Sequence, residues 1–475
     1  MAVLGVSTQR LKEFLTYENT FDSLENTKIR ERVFDEIEKL SNNFVQKVYS
    51  KIYKKSDTEN RAKLFAFGSY KIGCYGPDSD LDILIVFPNF ISRDRVFDDF
   101  GRMIQENRFF NGQFQSIRDA YVPIIRFEFQ SIRVDCSFAI LDMPFIPPSL
   151  DLTDDSILTE INTQYKPESI ASINGVRTTN LILELIPNRN NFNYVVRFLK
   201  VWAKKRFIYG NVFGYFGCIN LLIMSAYVCI KHPDAEPPQL IELFFQEFGD
   251  WPWPKPIFIQ EMKQGDLRSW EMSTSEDCMP IITPAYPSIN SLHNANNSTM
   301  LRMTKELKRG KKIVESNVGD ISQNLVKFVT HPKFFNKYKY FLMIKVHSTN
   351  RKNYQDGKGN VEKMLRKLTE MIEEESFIRN AFLFPHAFPT STHDTHSSTY
   401  FIALSIRNEG NNQRFFNISD PIDRFSHMIN KSKFYKVDFA LEIREKLPNY
   451  VFFGERPRPR SPRTKYIPKQ RATRN

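Results

Sequence analysis

Cysteine is scarce. The 475 residues contain five, at Cys74, Cys136, Cys218, Cys229 and Cys278, an odd number with no CxxC spacing. That excludes a disulfide framework and a thiolate zinc site, and it suits a reducing compartment. The opening MAVLGVSTQRLKEF lacks the apolar core of a secretory signal. The longest apolar stretch, Tyr215 to Ile230, is broken by Asn220 and Ser225. It falls short of the ~20 residues that span a bilayer, so it reads as a buried helix and no membrane partner is expected. There is no GxxxxGK(S/T) phosphate loop, no kinase-type HRD and DFG pair, and no internal repeat.

Aromatics and positive charge are plentiful. Forty-two Phe and 41% hydrophobic residues argue for packed cores, and the length suggests about three domains. The net charge is +12, but eight basic and no acidic residues lie between Arg456 and the end. The body is therefore only mildly basic, and any polyanion path over it must be a local patch. The Pro/Arg tail is expected to be disordered, as an import signal, a non-specific RNA clamp or a solvated end.

The chemistry concentrates in FGSYKIGCYGPDSDLDILIVF, Phe67 to Phe87. Asp80 and Asp82 open an apolar strand, and like charges at i and i+2 share one face of a strand. Such a pair is costly unless a cation holds it. Hard carboxylate oxygens suit Mg²⁺, and two metals can drive an in-line phosphoryl displacement when a third carboxylate joins. Asp135, in SIRVDCSF, is that third candidate, because a charge inside an apolar strand needs a reason. The Gly-Ser turn at Gly68 and Ser69 can present backbone N–H groups and a hydroxyl to phosphate. Elsewhere, His386, His393 and His396 sit in a Ser/Thr-rich segment that reads as a surface loop, and GKGN, Gly357 to Asn360, reads as a solvated loop.

Helical periodicity is expected over residues 20–55, 94–104 and 193–206, and in NVEKMLRKLTEMIEEES. Alternation over Tyr121 to Leu141 predicts a hairpin or two neighbouring strands, and strands alternating with helices after Lys337 predict a small α+β sandwich.

Gly-Ser, then DxD opening a strand, then a strand Asp some fifty residues on, is the pattern of the polymerase-β-like nucleotidyltransferases. Over about residues 10–450 the sequence resembles, more narrowly, the eukaryotic nuclear poly(A) polymerases. The matching segments are FGSYKIGCYGPDSDLD, VPIIRFEFQSIRVDCSF, SINGVR, RFLKVWAKKRFIYGN, FGYFGCIN, DWPWPKP, MPIITPAYP and FFNKYKYF. The resemblance implies an α+β multidomain chain: a nucleotidyltransferase palm at 18–168, a helical central domain from 1–17 and 169–332, an RRM-like, ferredoxin-like RNA-binding domain at 333–455, and a basic tail at 456–475.

It also implies template-independent transfer of AMP from ATP to an RNA 3′ end in the nucleus. Mg²⁺, with Mn²⁺ as a substitute, would be held by Asp80, Asp82 and Asp135. The nucleotide would be contacted by Phe67, Gly68, Ser69, Asn174, Lys200, Tyr209, Cys218, Ile219 and Thr283. RNA would be contacted by Tyr121, Arg126 and Asn294. A monomer is expected, working with mRNA 3′-end cleavage and polyadenylation factors. Two positions depart from the family: Cys218 stands where animal members have glycine, and Gly76 where they have a nucleotide-contacting threonine. A terminal uridylyltransferase, a CCA-adding enzyme and an inert RNA-binding scaffold on the same fold remain the alternatives.

Overall fold

The structure, a computed structural model, describes residues 7–55, 59–161, 166–316, 321–392, 395–407, 417–429 and 434–452. The basic tail and His393 lie outside these residues. The chain forms two compact units, Met1–Thr330 and His331–Asn475.

The first unit begins with α1 (Thr8–Tyr17), α2 (Leu24–Tyr53), β1 (Lys63–Ala66), α3 (Gly68–Ile72) and β2 (Leu81–Phe87). Next come α4 (Arg93–Arg95), a π-helical stretch over Val96–Phe100, and α5 (Gly101–Glu106). The strands β3 (Phe110–Ile117), β4 (Ile124–Phe129) and β5 (Ile132–Ile140) complete a sheet in the order β1-β2-β5-β4-β3. β4 and β5 form the expected hairpin, turning at Gln130 and Ser131, both with positive φ. Only β2 and β5 run parallel. β3 carries little strand signal in the sequence, because its half-exposed residues alternate weakly.

Strand alternation sorts the sheet into two faces. Leu81, Ile83, Ile85 and Phe87 of β2 join Val134, Cys136, Phe138 and Ile140 of β5 against Val33, Ile37, Phe44 and Val48 of α2. Leu84, Val86 and Ala139 face the other way, toward Ile170, Ile173 and Val176. These belong to α6 (Lys166–Leu185), the first of a run with α7 (Arg189–Lys205), α8 (Cys218–Lys231), α9 (Pro237–Gly249), α10 (Asn297–Glu315) and α11 (Ile321–Val329). Trp202, fully buried on the apolar stripe of α7, packs edge-on against Phe244 and Phe245 of α9. The apolar stretch noted in the sequence becomes the buried α8, and among the described residues no helix is long and apolar enough to cross a membrane.

The second unit holds α12 (Phe334–Lys337), β6 (Tyr340–Ser348), α13 (Arg351–Glu373), β7 (Ile378–Leu383), β8 (Phe388–Pro389), β9 (His396–Ile406), α14 (Ser419–Ile429) and β10 (Lys436–Ile443). The sheet order β10-β6-β9-β7 with two helices gives the βαββαβ pattern of a ferredoxin-like fold. GKGN is not a loop. It lies inside α13, and Gly357 is there because the Tyr435 ring would sit 2.4 Å from any Cβ at that position. Part of the histidine segment, expected as a surface loop, is strand: His396 opens β9 and stacks on Tyr354, while His386 packs against Phe384.

Candidate active site

Asp82 of β2 and Asp135 of β5 are Cα partners across the parallel pair, and Asp80 immediately precedes β2. By alternation all three share the sheet face that looks toward α6. Burial pushes the Asp82 carboxyl well above the usual carboxylate range, and the charges of Asp135 and Asp80 add to it. Burial also raises Asp80, against the pull of Arg133. Burial and like charge thus act together against ionisation of both acids.

Two arginines of the same sheet stand beside the acids. Arg126 of β4 lies directly across from Asp135, and its Nε and Nη2 donate to the two carboxylate oxygens at 2.6 Å each. The Nε of Arg133 comes within 2.8 Å of Asp80 Oδ1, but off the hydrogen-bonding line, so that buried oxygen accepts no hydrogen bond. Among the described residues no three acid, His or Cys side chains converge as a ready-made cation cage. The donor set nevertheless fits a hard divalent cation: carboxylate oxygens on one face, one of them buried and unsatisfied.

The Gly-Ser turn comes close to these acids. Gly68 has φ +62°, and a Cβ there would lie 2.6 Å from Asp82 Oδ2. Only glycine allows that approach with that backbone. The Gly68 N–H donates to Thr179 Oγ1 of α6 at 3.1 Å, so this amide is already committed. Ser69 follows in the first turn of α3.

A cavity of about 650 Å³ opens over Asp80 and Asp82. Phe67, Gly68, Ser69, Tyr121, Asn174, Lys200, Tyr209, Cys218, Ile219 and Thr283 line it. Asp135, Arg126 and Asn294 are not in its wall, although Asn294 Nδ2 donates to Asn211 Oδ1, which is, at 3.4 Å. Asn174 and Gly175 both sit within α6, and Gly175 leaves room for the Phe67 ring, which a Cβ would meet at 3.0 Å. Asn174 Nδ2 donates to the Pro287 carbonyl at 3.1 Å, which fixes the amide and leaves its buried Oδ1 without a partner. An acceptor of this kind suits a hydroxyl or amine of a ligand.

Tyr209 is brought back to the cavity by Phe207, with φ +57°, and Gly210, with φ +134°. Burial raises its phenol well above the ordinary value, so it stays a hydrogen-bond donor. At Cys218, the first residue of α8, a hydrogen bond with Cys74 lowers the thiol pKa, helped by Lys200, Lys204 and Tyr209. Gly76 lies outside the cavity wall. A Cβ there would stand 2.9 Å from the Thr20 carbonyl, and its N–H donates to Ser79 Oγ at 2.9 Å.

Lys204, Thr179, Arg133 and His293 also line the cavity and were missed in the sequence. Lys204 was findable, because it stands four residues after Lys200 on one helix face. Arg133 shares the strand face of Asp135 two residues on, and nothing local marks Thr179 or His293.

Three family models match the chain in succession: the poly(A) polymerase nucleotidyltransferase domain over residues 6–186, the central domain over 191–328, and the predicted RNA binding domain over 333–397. The chain belongs to the poly(A) polymerase family. Nuclear poly(A) polymerase 1 of Arabidopsis thaliana is 33% identical, over 94% of this chain and 64% of that protein. Nuclear poly(A) polymerase 2 of the same plant is 32% identical, over 93% and 56%. Poly(A) polymerase pla1 of Schizosaccharomyces pombe is 35% identical, over 79% and 66%. This poly(A) polymerase family member thus spans 56–66% of the length of those relatives. Among solved structures, that of a cytoplasmic RNA terminal U-transferase is 17% identical with a TM-score of 0.46, over 68% of this chain and 99% of that one.

Proposed function

We propose that this protein is a polynucleotide adenylyltransferase that adds AMP from ATP to RNA 3′ ends without a template. The carrying observation is the pairing of Asp82 with Asp135 on one sheet face, where Asp82 and its neighbour Asp80 also line a cavity shared with Lys200, Tyr209 and Asn174. In the reaction the RNA 3′ oxygen attacks the α-phosphorus of ATP. A new P–O bond forms, the bond to the β-phosphate oxygen breaks, and pyrophosphate leaves.

Asp80, Asp82 and Asp135 would hold Mg²⁺, or Mn²⁺ in its place, which when bound supplies Lewis-acid polarisation of the hydroxyl and the triphosphate. Asp135 orients the 3′ hydroxyl and takes its proton. Lys200 and the protonated phenol of Tyr209 offset negative charge on the β and γ phosphates. Ser69 supplies a further donor beside Gly68. Phe67, Ile219, Cys218 and Thr283 shape the base pocket, and the unsatisfied Asn174 Oδ1 accepts from the ribose or the base. Tyr121, 65% exposed, offers a ring on which an RNA base stacks. Arg126 would exchange Asp135 for an RNA phosphate, and Asn294, hydrogen-bonded to Asn211 of the cavity wall, would contact the RNA.

On this reading residues 18–168 form the palm, 1–17 and 169–332 the helical body, 333–455 the RNA-binding module and 456–475 a basic tail. As part of this reading we infer a nuclear site of action, which the names of the two plant relatives support, and a monomer recruited by 3′-end processing factors. The experiment is to incubate the purified protein with an oligo(A) RNA and each NTP separately, with Mg²⁺ and with Mn²⁺. Extension by ATP is expected. Preference for UTP or CTP overturns the reading in favour of the uridylyl or CCA alternative, and no extension with any NTP in favour of an inert scaffold.

A further inference from the structure

The segment Gly73–Ser79 connects α3 to β2 and delivers the chain to Asp80. It has little structure of its own: Ser79 N–H donates to Gly76 O at 3.0 Å, and Cys74 N–H to Ser69 O at 3.0 Å. Its carbonyls are instead held from outside. Arg30 of α2 donates from Nη1 to Ser79 O at 2.8 Å, and from Nη2 to Gly76 O and Pro77 O at 3.2 Å each. Arg197 of α7 donates to Tyr75 O at 2.7 Å and Gly73 O at 2.8 Å, and also to Thr20 O. Five carbonyls of one loop are thereby fixed by two guanidinium groups.

Arg30 is the deeper of the two, with no exposed surface. Its Nε donates to Asp22 Oδ2 at 2.8 Å, and the Asp22 side chain is 2% exposed. A fully buried ion pair is a poor way to gain stability, since desolvating both charges offsets most of the attraction. What a guanidinium does supply is a rigid planar fork of donors, which an ammonium lacks. The Ser79 carbonyl belongs to the peptide unit that ends on Asp80, so the Arg30 bond sets that plane and with it the direction of the Asp80 side chain.

We propose that Arg30 is a positioning residue that holds the Asp80 carboxylate in register with Asp82 and Asp135, by fixing the Ser79–Asp80 peptide plane. This rests on the adenylyltransferase reading of the acid trio.

The test compares Arg30→Lys and Asp22→Asn with Val33→Ala, a fully buried α2 residue one turn on that belongs to the apolar core. Three quantities are measured on the full chain: Tm, kcat and KM for ATP in RNA extension, and Mn²⁺ affinity by EPR of the free ion. Arg30→Lys is expected to lower kcat by about 10- to 100-fold with KM for ATP within about threefold, as a misplaced catalytic group does. Its Mn²⁺ affinity falls several-fold, and Asp22→Asn shows the same pattern more weakly. Val33→Ala loses Tm but keeps kcat within about twofold. Wild-type kcat and Mn²⁺ affinity in Arg30→Lys overturn the proposal, as does a kcat loss matched by Val33→Ala at equal loss of Tm. If Arg30→Lys does not fold, Asp22→Asn decides on the same criteria. A wild-type protein that binds Mn²⁺ but extends no RNA refutes the adenylyltransferase reading instead, and the Mn²⁺ arm still decides the role of Arg30.

Discussion

Arg126 and Asp135 face each other across the β4–β5 hairpin and share two hydrogen bonds of 2.6 Å. The third acid of the trio is thus tied to a cation from its own sheet. The Arg126 side chain is 43% exposed, so the pair is screened and its worth is modest. Arg126→Ala is expected to lower the Tm of the metal-free protein by a few degrees, a loss of about 1 kcal/mol. Added Mn²⁺ should restore more Tm in the variant than in the wild type, because a cation then replaces the missing guanidinium. Equal Mn²⁺ shifts in the two proteins count against the pairing as the resting state of Asp135.

Asp82 is half-buried beside Asp80 and Asp135, and desolvation and like charge make its ionised form a burden on the folded chain that function retains. Asp82→Asn should melt higher than the wild type in metal-free buffer at neutral pH. In the same variant AMP incorporation should fall by ~10³-fold or more, with RNA affinity in a filter assay close to wild type. A variant that still extends RNA would refute the role given to Asp82.

Gly68 combines a left-handed backbone with an approach so close that a Cβ would lie 2.6 Å from Asp82 Oδ2. In Gly68→Ala the added Cβ must push the carboxylate aside, and the left-handed conformation costs about 1–2 kcal/mol. Expected is a folded protein, by circular dichroism, whose kcat drops about 100-fold. Full activity would show that the approach of this turn to Asp82 is not needed.

Cys218 differs from the other thiols. The Cys74 hydrogen bond and the two lysines lower its pKa, whereas burial lifts Cys229 to about 12 and Cys278 to about 11. At neutral pH iodoacetamide should label Cys218 first, since the thiolate is the nucleophile. Mass spectrometry of the peptides, with and without ATP, checks both the order and the protection expected from its place in the cavity wall. Labelling that starts elsewhere, or ignores ATP, removes Cys218 from the nucleotide pocket.

Glu306 of α10 links to Arg206 at 2.7 and 2.9 Å. Burial alone would raise its carboxyl, but Arg206, joined by Arg309, holds it below the usual range. A depressed folded-state pKa contributes stability that is present above the unfolded value and is lost as pH falls through the folded one. Glu306→Gln should therefore cost about 3 kcal/mol at neutral pH, and the difference from wild type should shrink as pH falls below ~4. Thermal melts from neutral to acid pH measure it, and a constant difference would contradict the pairing.

Much of this was written locally. Asp80 and Asp82 share a face because strands repeat every two residues, and Asp135 joins them because Val134 and Cys136 had to go to the opposite core. The stripe on α7 and the buried α8 were equally legible, since a helical period needs only neighbours in sequence. Asn174-Gly175 and Gly357 could not be read that way. A glycine that looks like a turn signal is helical when a ring, Phe67 or Tyr435, packs onto the bare backbone.

The sequence by itself determined which side chains could hold a cation and which face of each strand carries them, because those follow from composition and the short periods of the backbone. Only the tertiary structure decided that Arg126 closes on Asp135, that Thr179 takes the Gly68 amide, and that Arg30 reaches 49 residues ahead to the Ser79 carbonyl. Those partners are brought together by sheet register and helix packing. No local pattern of residues encodes which distant donor will meet which carbonyl or carboxylate.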